Sequence, residues 1–325
     1  MNSARISTVK LGEKGPLVGV QGLGCMGMSE FYGATDEAEV RDTLEHALAL
    51  GVTLFDTADM YGCGTNETLL APFVRAHRND VVISTKYGFV RSVDAPDDWR
   101  IDNRPEYIRA AVERSLQRLG IDCIDLYYMH RRDKNVPLED SIGAMADLVK
   151  TGKVQWLGLC EASAQELQVA HAIHPIAALQ SEWSVFTRGI EQEVVAAARA
   201  LGIAIVPYAP LGRGLLTGRT FAETLTAADA RQQFPRFSQA NRLANMRLVE
   251  QIEELAVPRA ITTAQLALAW LYTRAEQSGV TVVPIPGTRK RSRLEENVAA
   301  SGLRLTDAEM AHLDPLAASV QGMAI

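Results

Sequence analysis

Short apolar runs alternate with longer stretches of helical periodicity along most of the chain. The short runs are mostly apolar throughout, as is typical of strands that are covered on both faces. Repeated strand–helix alternation predicts a fold of the α/β class, a parallel (β/α)8 TIM barrel. The eight predicted strands are Gln21–Cys25, Val52–Phe55, Val81–Thr85, Ile124–Met129, Val154–Cys160, Ile176–Leu179, Ile203–Pro207 and Thr281–Pro284.

Further elements surround the predicted barrel. Ile6–Leu11 and Leu17–Val20 flank a turn-rich segment, which predicts an N-terminal β-hairpin. The stretch 213–245 is irregular and is predicted to be a loop over the barrel mouth. No linker interrupts the pattern, so residues 1–325 are predicted to form a single domain with extra helices in the C-terminal half. Capping boxes predict helix starts at Ser163, Thr262, Ser292 and Thr306.

Composition narrows the possible functions. The 325 residues are 47% hydrophobic and carry a net charge of −6 without a basic block, which argues against a nucleic-acid partner. The four cysteines include no CxxC pair, so we expect no metal site and a reducing, cytoplasmic location. No apolar run reaches membrane-spanning length and no signal-peptide pattern begins the sequence. The sequence leaves the oligomeric state open, and a homo-oligomer is compatible with it.

Polar residues follow the predicted strands repeatedly. The carboxyl ends of parallel barrel strands converge on one face, where the chemistry of such barrels is found. Tyr61, five residues after Asp56, belongs to the first of the loops that begin there. We therefore expect one polar site at the barrel mouth, to which the strand ends contribute Asp56, Lys86, His130, Glu161, Gln180, Tyr208 and Thr288.

Four of these side chains can together protonate a carbonyl oxygen. An isolated tyrosine has a pKa near ~10, and a neighbouring lysine cation lowers the pKa by stabilising the phenolate. This predicts Tyr61 as general acid, with Lys86 tuning it and Asp56 balancing the buried lysine charge. His130 would polarise or position the carbonyl. No side chain supplies a hydride, so a cofactor must do so, and the substrate is expected to be a small aldehyde or ketone.

Six short motifs are spread over nearly the whole chain: Asp56-Thr-Ala-Asp-Met-Tyr61, Ser84-Thr-Lys86, Asp125-Leu-Tyr-Tyr-Met-His130, Ala178-Leu-Gln180, Tyr208-Ala-Pro-Leu-Gly-Arg-Gly214 and Ile285-Pro-Gly-Thr-Arg289. In the order and spacing of these motifs the sequence resembles the aldo-keto reductase family, in particular its bacterial and plant branch of YakC-type and auxin-induced-like reductases.

The resemblance implies that NADPH binds across the barrel mouth. Tyr208 would stack on the nicotinamide, Gln180 would hold its carboxamide, and a basic cluster at a helix start would hold the 2′-phosphate. Cys160 stands where the family usually has serine, and a thiol is a weak donor. The implied cofactor residues are Met26, Asp56, Cys160, Glu161, Gln180, Tyr208, Pro210, Leu211, Gly212, Arg213, Gly214, Gly287, Thr288, Arg289, Arg293, Glu296 and Asn297.

Other interpretations remain open at the sequence level. The same fold serves potassium-channel β subunits, so a regulatory NADPH-binding protein with little turnover is the alternative function. Gly22, Gly24 and Gly27 formally match a Rossmann fingerprint, although no helical pattern follows them directly.

Several further side chains have two interpretations. His171 and His174 share a helix face but are expected to be solvated rather than metal-binding. Arg131 and Arg132 are expected on a solvated loop rather than steering an anionic substrate. Four aromatic residues are equally compatible with a substrate pocket and with ordinary packing: Phe31, Tyr32, Trp99 and Trp183.

Overall fold

The strands of the protein were located in a computed structural model, which describes residues 5–33, 35–218, 225 and 229–323. All of them are short, as expected for a small sheet whose strands are joined by helices. The strands are β1 Thr8–Lys10, β2 Leu17–Gly19, β3 Leu23–Gly24, β4 Leu54–Asp56, β5 Val82–Tyr87, β6 Ile124–Met129, β7 Val154–Cys160, β8 Ile176–Glu182 and β9 Ala204–Tyr208.

Helices connect the strands from β3 onward and continue after β9. None of the helices in the described residues is long and apolar enough to cross a membrane. The helices are α1 Glu37–Ala49, α2 Thr65–Ala76, α3 Pro105–Leu119, α4 Leu138–Lys150, α5 Ala164–Ile173, α6 Val194–Ala200, α7 Gln239–Ala256, α8 Thr263–Ser278, α9 Arg291–Ala299, α10 Asp307–Leu313 and α11 Leu316–Ser319.

Strands β3 to β9 pair in parallel and in sequence order, which confirms the predicted barrel. Their inward side chains form an apolar core that includes Leu54, Leu126 and Val206. Tyr128 also points into this interior and is fully buried. Its ring fits because the adjacent strand carries Gly158, where a Cβ atom would lie 2.3 Å from the tyrosine ring.

The eighth predicted strand, Thr281–Pro284, is not a regular strand; in the described residues the sheet has seven strands. The segment still lies between the first and last strands of the barrel. Val283 donates to the carbonyl of Ile205 at 3.0 Å, and Gly22 donates to the carbonyl of Pro284 at 2.9 Å. Proline lacks an N–H, so Pro284 and Pro286 interrupt the ladder that a continuous strand would need.

The predicted hairpin is confirmed: β1 and β2 pair antiparallel. The Glu13 N–H donates to the carbonyl of Gly202 at 2.9 Å, just before β9 begins. Leu11 and Val18 bury their side chains against the barrel interior. The hairpin therefore closes the amino-terminal end of the barrel, and a mouth is left at the carboxyl ends of the strands.

Three of the four predicted capping boxes are present, at Ser163, Thr262 and Thr306. The box predicted at Ser292 is wrong. Helix α9 begins at Arg291, so its N-cap is Lys290, two residues before the predicted Ser292, and Lys290 makes no side-chain capping bond. The glutamate that would complete the box, Glu295, instead contacts His46 of α1 at 2.7 Å. A tertiary contact has therefore replaced the local one.

The irregular stretch after β9 is shorter than predicted. The Ser238 hydroxyl accepts from the N–H of Asn241 and begins α7, which continues to Ala256. The predicted loop 213–245 therefore ends at this cap. Residues 219–224 and 226–228 of that loop lie outside the described residues.

Candidate active site

A buried ion pair lies at the mouth of the barrel. Asp56 ends β4 and is opposite Ser84 of β5, and Lys86 lies two residues further on the same face of β5. Lys86 is fully buried, and its Nζ lies 2.5 Å from Asp56 Oδ2 and 2.7 Å from the carbonyl oxygen of Thr57. Burial opposes the positive charge, but Asp56 and Tyr61 outweigh it, so the pKa of Lys86 is raised and the ammonium persists at neutral pH.

The second carboxylate oxygen of Asp56 accepts two hydrogen bonds. Its Oδ1 accepts from Ser84 Oγ and from Gln180 Nε2, both at 2.8 Å. Side chains of β5 and β8 therefore hold the carboxylate of Asp56 in one orientation. Sequence reasoning missed Ser84, although its position two residues before Lys86 on the same strand was an available signal.

Tyr61 lies beside this ion pair. Lys86 Nζ donates to the Tyr61 hydroxyl at 3.3 Å, and the buried tyrosine follows Met60 in the tight turn after β4. The expected effect of Lys86 is present, since its charge lowers the pKa of Tyr61. Burial has the larger effect, however, so the net pKa of Tyr61 is raised above 10.0 and the group is protonated at neutral pH.

His130 faces the tyrosine from the end of β6. Its ring meets Tyr61 edge to face at 5.9 Å between centroids and meets Phe89 in the same way at 5.1 Å. Burial, followed by the charges of Lys86 and Arg131, lowers the pKa of His130 well below 6.5. The imidazole is therefore neutral and retains one N–H for donation. The contact with Phe89 was not anticipated from the sequence.

Residues at the ends of neighbouring strands, including Arg131, Glu161 and Tyr208, line a cleft of about 490 Å³. Cys160 ends β7, and burial raises the pKa of its thiol to about 12, so it stays protonated. Glu161 and Tyr208 line the cleft, and Glu161 has a φ of 51°, which is unusual for a residue other than glycine. Backbone of this kind often accompanies a functional site.

The loop after β9 has the same unusual backbone. Ala209 and Arg213 have φ angles of 45° and 55°. The Arg213 guanidinium lies 4.6 Å from the centroid of Phe234 and 3.5 Å from the Tyr32 hydroxyl. These contacts hold the 3-10 turn Gly212–Thr217 at the side of the mouth. The turn and the residues just before it include four other predicted cofactor residues: Pro210, Leu211, Gly212 and Gly214.

The segment before α9 closely approaches the exit of β3. A Cβ atom on Gly287 would lie 2.9 Å from the carbonyl oxygen of Gly24, so only glycine permits this approach. Arg289 donates to the carbonyl of Tyr32 at 3.0 Å and to Thr35 Oγ1 at 3.1 Å. The predicted phosphate ligand Arg289 thus also joins this segment to the loop after β3, and Thr288 lies beside it.

Helix α9 carries the remaining predicted cofactor residues. Arg293 and Lys290 are exposed at its start, where no side chain of the described residues caps the helix. Asn297 is buried and Glu296 is half-buried one turn further along. Met26 lies apart from this group, packed against the cluster around Tyr61.

One of the aromatic residues considered for a substrate pocket belongs to the core, and two others lie near the residues around Tyr61. Trp183 is fully buried, and its Nε1 donates to Glu191 at 2.9 Å, so it belongs to the core rather than to the mouth. Trp99 is 49% exposed and meets Phe89 edge to face at 6.0 Å. Phe31 packs against the cluster around Tyr61.

The alternative sites are not supported in the described part of the chain. Gly27 enters a 3-10 turn at Met26–Met28, not the helix that a Rossmann fingerprint requires, and the sheet is a barrel. His171 Nδ1 accepts from the N–H of Ile176 at 3.2 Å, and among the described residues no group of three possible metal ligands was found.

Comparisons with known proteins agree with the barrel fold. A model of the aldo/keto reductase family matches residues 22–318. The glycerol dehydrogenase AKR11B4 from Gluconobacter oxydans is 26% identical, with a TM-score of 0.83 over 98% of this chain and 96% of that one. A thermostable aldo-keto reductase in complex with epalrestat is 26% identical, with a TM-score of 0.75 over 96% and 100%. Aldo-keto reductase AKR11C1 from Bacillus halodurans, in its holo form, is 24% identical, with a TM-score of 0.77 over 99% and 98%.

Proposed function

Because the chain belongs to the aldo/keto reductase family and is therefore an oxidoreductase, we propose that it reduces aldehydes and ketones to alcohols with NADPH. The observation that carries the proposal is the Tyr61 hydroxyl, which lies 3.3 Å from the ammonium of a fully buried lysine. A protonated phenol beside a fixed cation is suited to give a proton to a carbonyl oxygen.

Each side chain of the group then has a distinct task. The Tyr61 hydroxyl donates its proton to the carbonyl oxygen, and Lys86 stabilises the phenolate that is left. Asp56 keeps Lys86 charged, and the neutral His130 donates its N–H to the same carbonyl oxygen and orients it. NADPH, when bound, supplies the hydride that the carbonyl carbon receives.

The residues around the mouth fit the nicotinamide half of the cofactor. Tyr208 offers an aromatic face at the end of β9, where it lines the cleft. The Nε2 of Gln180 donates to Asp56, so its Oε1 is the atom that would accept from the N–H of the nicotinamide carboxamide. The Cys160 thiol is a weak donor, so we assign carboxamide binding mainly to Gln180 and neighbouring backbone groups, including those of Glu161.

Further residues would hold the phosphates and the adenine of NADPH. We assign the pyrophosphate to residues 210–214 and the 2′-phosphate to the uncapped start of α9, with Thr288, Arg289 and Arg293. A helix N-terminus beside cations favours an anion. Glu296 and Asn297, one turn further along, would contact the adenine. Met26 would lie near the nicotinamide.

Replacing Arg293 with alanine is expected to weaken NADPH binding on the order of 10-fold and to leave NADH binding nearly unchanged, because only NADPH carries the 2′-phosphate. Fluorescence titration of both cofactors measures the effect. Arg247→Ala, which removes an exposed arginine from α7, is the matched control. Equal losses for the two cofactors would remove Arg293 from the phosphate site.

The direct test of the proposed function is NADPH oxidation, followed by absorbance, with a panel of aromatic aldehydes, dicarbonyls and simple ketones. Glycerol and other small alcohols with NADP⁺ belong in the panel because one similar structure is a glycerol dehydrogenase. We expect turnover of several carbonyl compounds. Tight NADPH binding without turnover of any compound would favour the regulatory alternative instead.

The same assay yields a pH prediction. The proposed mechanism needs Tyr61 protonated, which holds below its raised pKa, and His130 neutral, which holds above its lowered pKa. We therefore expect kcat/KM for carbonyl reduction to stay constant between about pH 6 and pH 9. A limb near an ordinary histidine pKa, about 6.5, would contradict the assignment of a neutral His130. Blanks without enzyme correct for decay of NADPH at low pH.

A further inference from the structure

Arg131 differs from the solvated residue that the sequence predicted. It follows His130 directly, is half-buried, and lines the cleft beside Tyr208. Its Nη1 donates to the carbonyl of His130 at 2.7 Å, and no carboxylate of the described residues lies within ion-pair distance of its guanidinium. Its neighbour Arg132 is different, because it pairs with Glu166 at 3.0 Å.

The two acids in the same cleft are held by other groups. Glu182 Oε1 accepts from the Thr187 hydroxyl at 2.9 Å and lies 3.6 Å from Arg236. Glu161 Oε1 accepts from the N–H of Glu182 at 2.9 Å. The cleft therefore contains one arginine whose charge no directly contacting acid balances.

Four ionisable groups act on Arg131 through space without forming an ion pair with it: Tyr208, Cys160, Glu161 and Tyr61. Burial is the main cause that raises the pKa of Tyr208, Cys160 and Tyr61, so these three are neutral near pH 7 and Glu161 is the carboxylate of the set. Because no carboxylate contacts the guanidinium of Arg131 in this partly dry cleft, its N–H donors are available to an anionic group.

We propose that Arg131 is a specificity residue that binds a carboxylate on the carbonyl substrate, so that the preferred substrates are oxo acids and carboxyl-bearing aldehydes. This inference rests on the proposed reductase function. The planar guanidinium can hold a carboxylate through two parallel N–H donors. Its attachment next to His130 places that anchor beside the group that would orient the carbonyl. The cleft has a volume of about 490 Å³, and the nicotinamide assigned to Tyr208 would share it with the substrate.

The positive charge of Arg131 has to attract an anion to a chain that is negative as a whole. The chain carries a net charge of −6, which disfavours the approach of anions. A preference for carboxylates would therefore have to come from a specific contact rather than from general attraction. The competing explanation is a purely structural role, in which Arg131 only holds the backbone carbonyl of His130. That role affects charged and uncharged substrates equally.

Matched substrates separate the two roles. We would compare 4-carboxybenzaldehyde with methyl 4-formylbenzoate, which differ mainly in charge, for the wild type, Arg131→Gln and Arg131→Lys. Arg131→Gln is expected to lower kcat/KM for the acid on the order of 10- to 100-fold, mainly through KM, and to change the ester less than about 3-fold. Arg131→Lys is expected to recover part of the loss, because it restores the charge but not the planar fork.

Lys134→Gln is the matched control. Lys134 is exposed and lines the outer part of the neighbouring cavity, so its removal changes the net charge equally without touching the proposed anchor. Its effect on the acid is expected to be less than about 2-fold in low salt. A loss equal to that of Arg131→Gln would show that only general electrostatics matters and would overturn the proposal.

A binding measurement adds a readout that does not depend on turnover. Isothermal titration of the NADP⁺-saturated protein with benzoate and with benzamide compares a charged and an uncharged ligand of similar shape. Benzoate is expected to bind more tightly to the wild type, and Arg131→Gln is expected to abolish the difference. The dissociation constant of NADPH is expected to be the same in both proteins.

The outcomes distinguish this inference from the proposed function. Reduction of the ester together with equal effects of Arg131→Gln on acid and ester overturns the inference and leaves the reductase function standing. A weakened NADPH complex in Arg131→Gln also overturns it, because the guanidinium would then serve the cofactor. If the wild type reduces neither compound nor any other carbonyl of the panel, both the inference and the proposed function fail.

Discussion

Tyr61→Phe is expected to lower kcat for carbonyl reduction on the order of 10²- to 10⁴-fold, the usual contribution of a general acid. The substitution removes one hydroxyl and keeps the ring, so the contact with His130 and the packing around Met60 persist. NADPH affinity should change less than about 3-fold, because the loss concerns the proton and not the cofactor. Stopped-flow or steady-state NADPH oxidation measures the first quantity, and fluorescence titration the second.

Tyr272→Phe is the matched control for this prediction. It also deletes a buried tyrosine hydroxyl, but that hydroxyl donates to the carbonyl of Val20 at 3.3 Å and lies in α8. Its activity should stay close to that of the wild type. A Tyr61→Phe protein that retains more than about a tenth of the wild-type kcat would remove Tyr61 from the role of general acid.

Asp56→Asn is expected to destabilise the protein by about 3 to 5 kcal/mol, the range seen when one partner of a buried ion pair is removed. The asparagine carbonyl can still accept from Ser84 and Gln180, but its amide group would face the Lys86 ammonium with a donor instead of an acceptor. The lysine is fully buried and cannot turn to solvent. Activity should fall together with stability, since the charge beside Tyr61 is no longer supported.

The double variant Asp56→Asn/Lys86→Met tests the physical cause. It removes the unpaired charge, so we expect most of the lost stability to return while reduction stays abolished. Urea unfolding of the wild type, both single variants and the double variant completes the cycle. A double variant no more stable than Asp56→Asn would mean that the isolated ammonium is not the source of the loss.

The pH dependence of Asp56→Asn provides an independent check. In the wild type the pKa of Lys86 is raised, so its stabilising contribution is present below the unfolded pKa and is lost only as pH rises through the folded value. Without Asp56, burial alone depresses the pKa of Lys86, and the unfolded chain then binds the extra proton. The stability deficit of the variant should therefore shrink as pH rises from about 7 toward about 10.

The order of the strands and helices could be predicted from the sequence because each of them has a recognisable local pattern of residues. Apolar runs and helical periodicity depend on neighbours a few residues apart, so seven of the eight barrel strands and the hairpin were found. Thr281–Pro284 was the exception. Its apolar pattern is that of a strand, but Pro284 and Pro286 have no backbone N–H to donate to a neighbouring strand. A pattern of apolar residues contains no information about backbone donors.

The same locality explains which capping boxes were right. Glu166 accepts from the Ser163 N–H with Oε2 while its Oε1 pairs with Arg132, so the tertiary contact leaves the capping box of α5 intact. Glu295 contacts His46 of α1 at 2.7 Å, and α9 has no side-chain cap. No local pattern carries information about a residue 249 positions away.

The features of the candidate site also divide into those that local sequence predicts and those that depend on the fold. The sequence alone indicates that an acid, a phenol, an amine and an imidazole follow successive strands, and parallel strands bring their carboxyl ends to one face. How those groups are charged depends on the fold, because burial raises the pKa of Tyr61 against the opposing effect of Lys86, and burial together with the charges of Lys86 and Arg131 lowers the pKa of His130. The fold also pairs Arg132 with Glu166 while Arg131 faces the cleft. Charge and pairing depend on distances through space, and the chain specifies those distances only once it is folded.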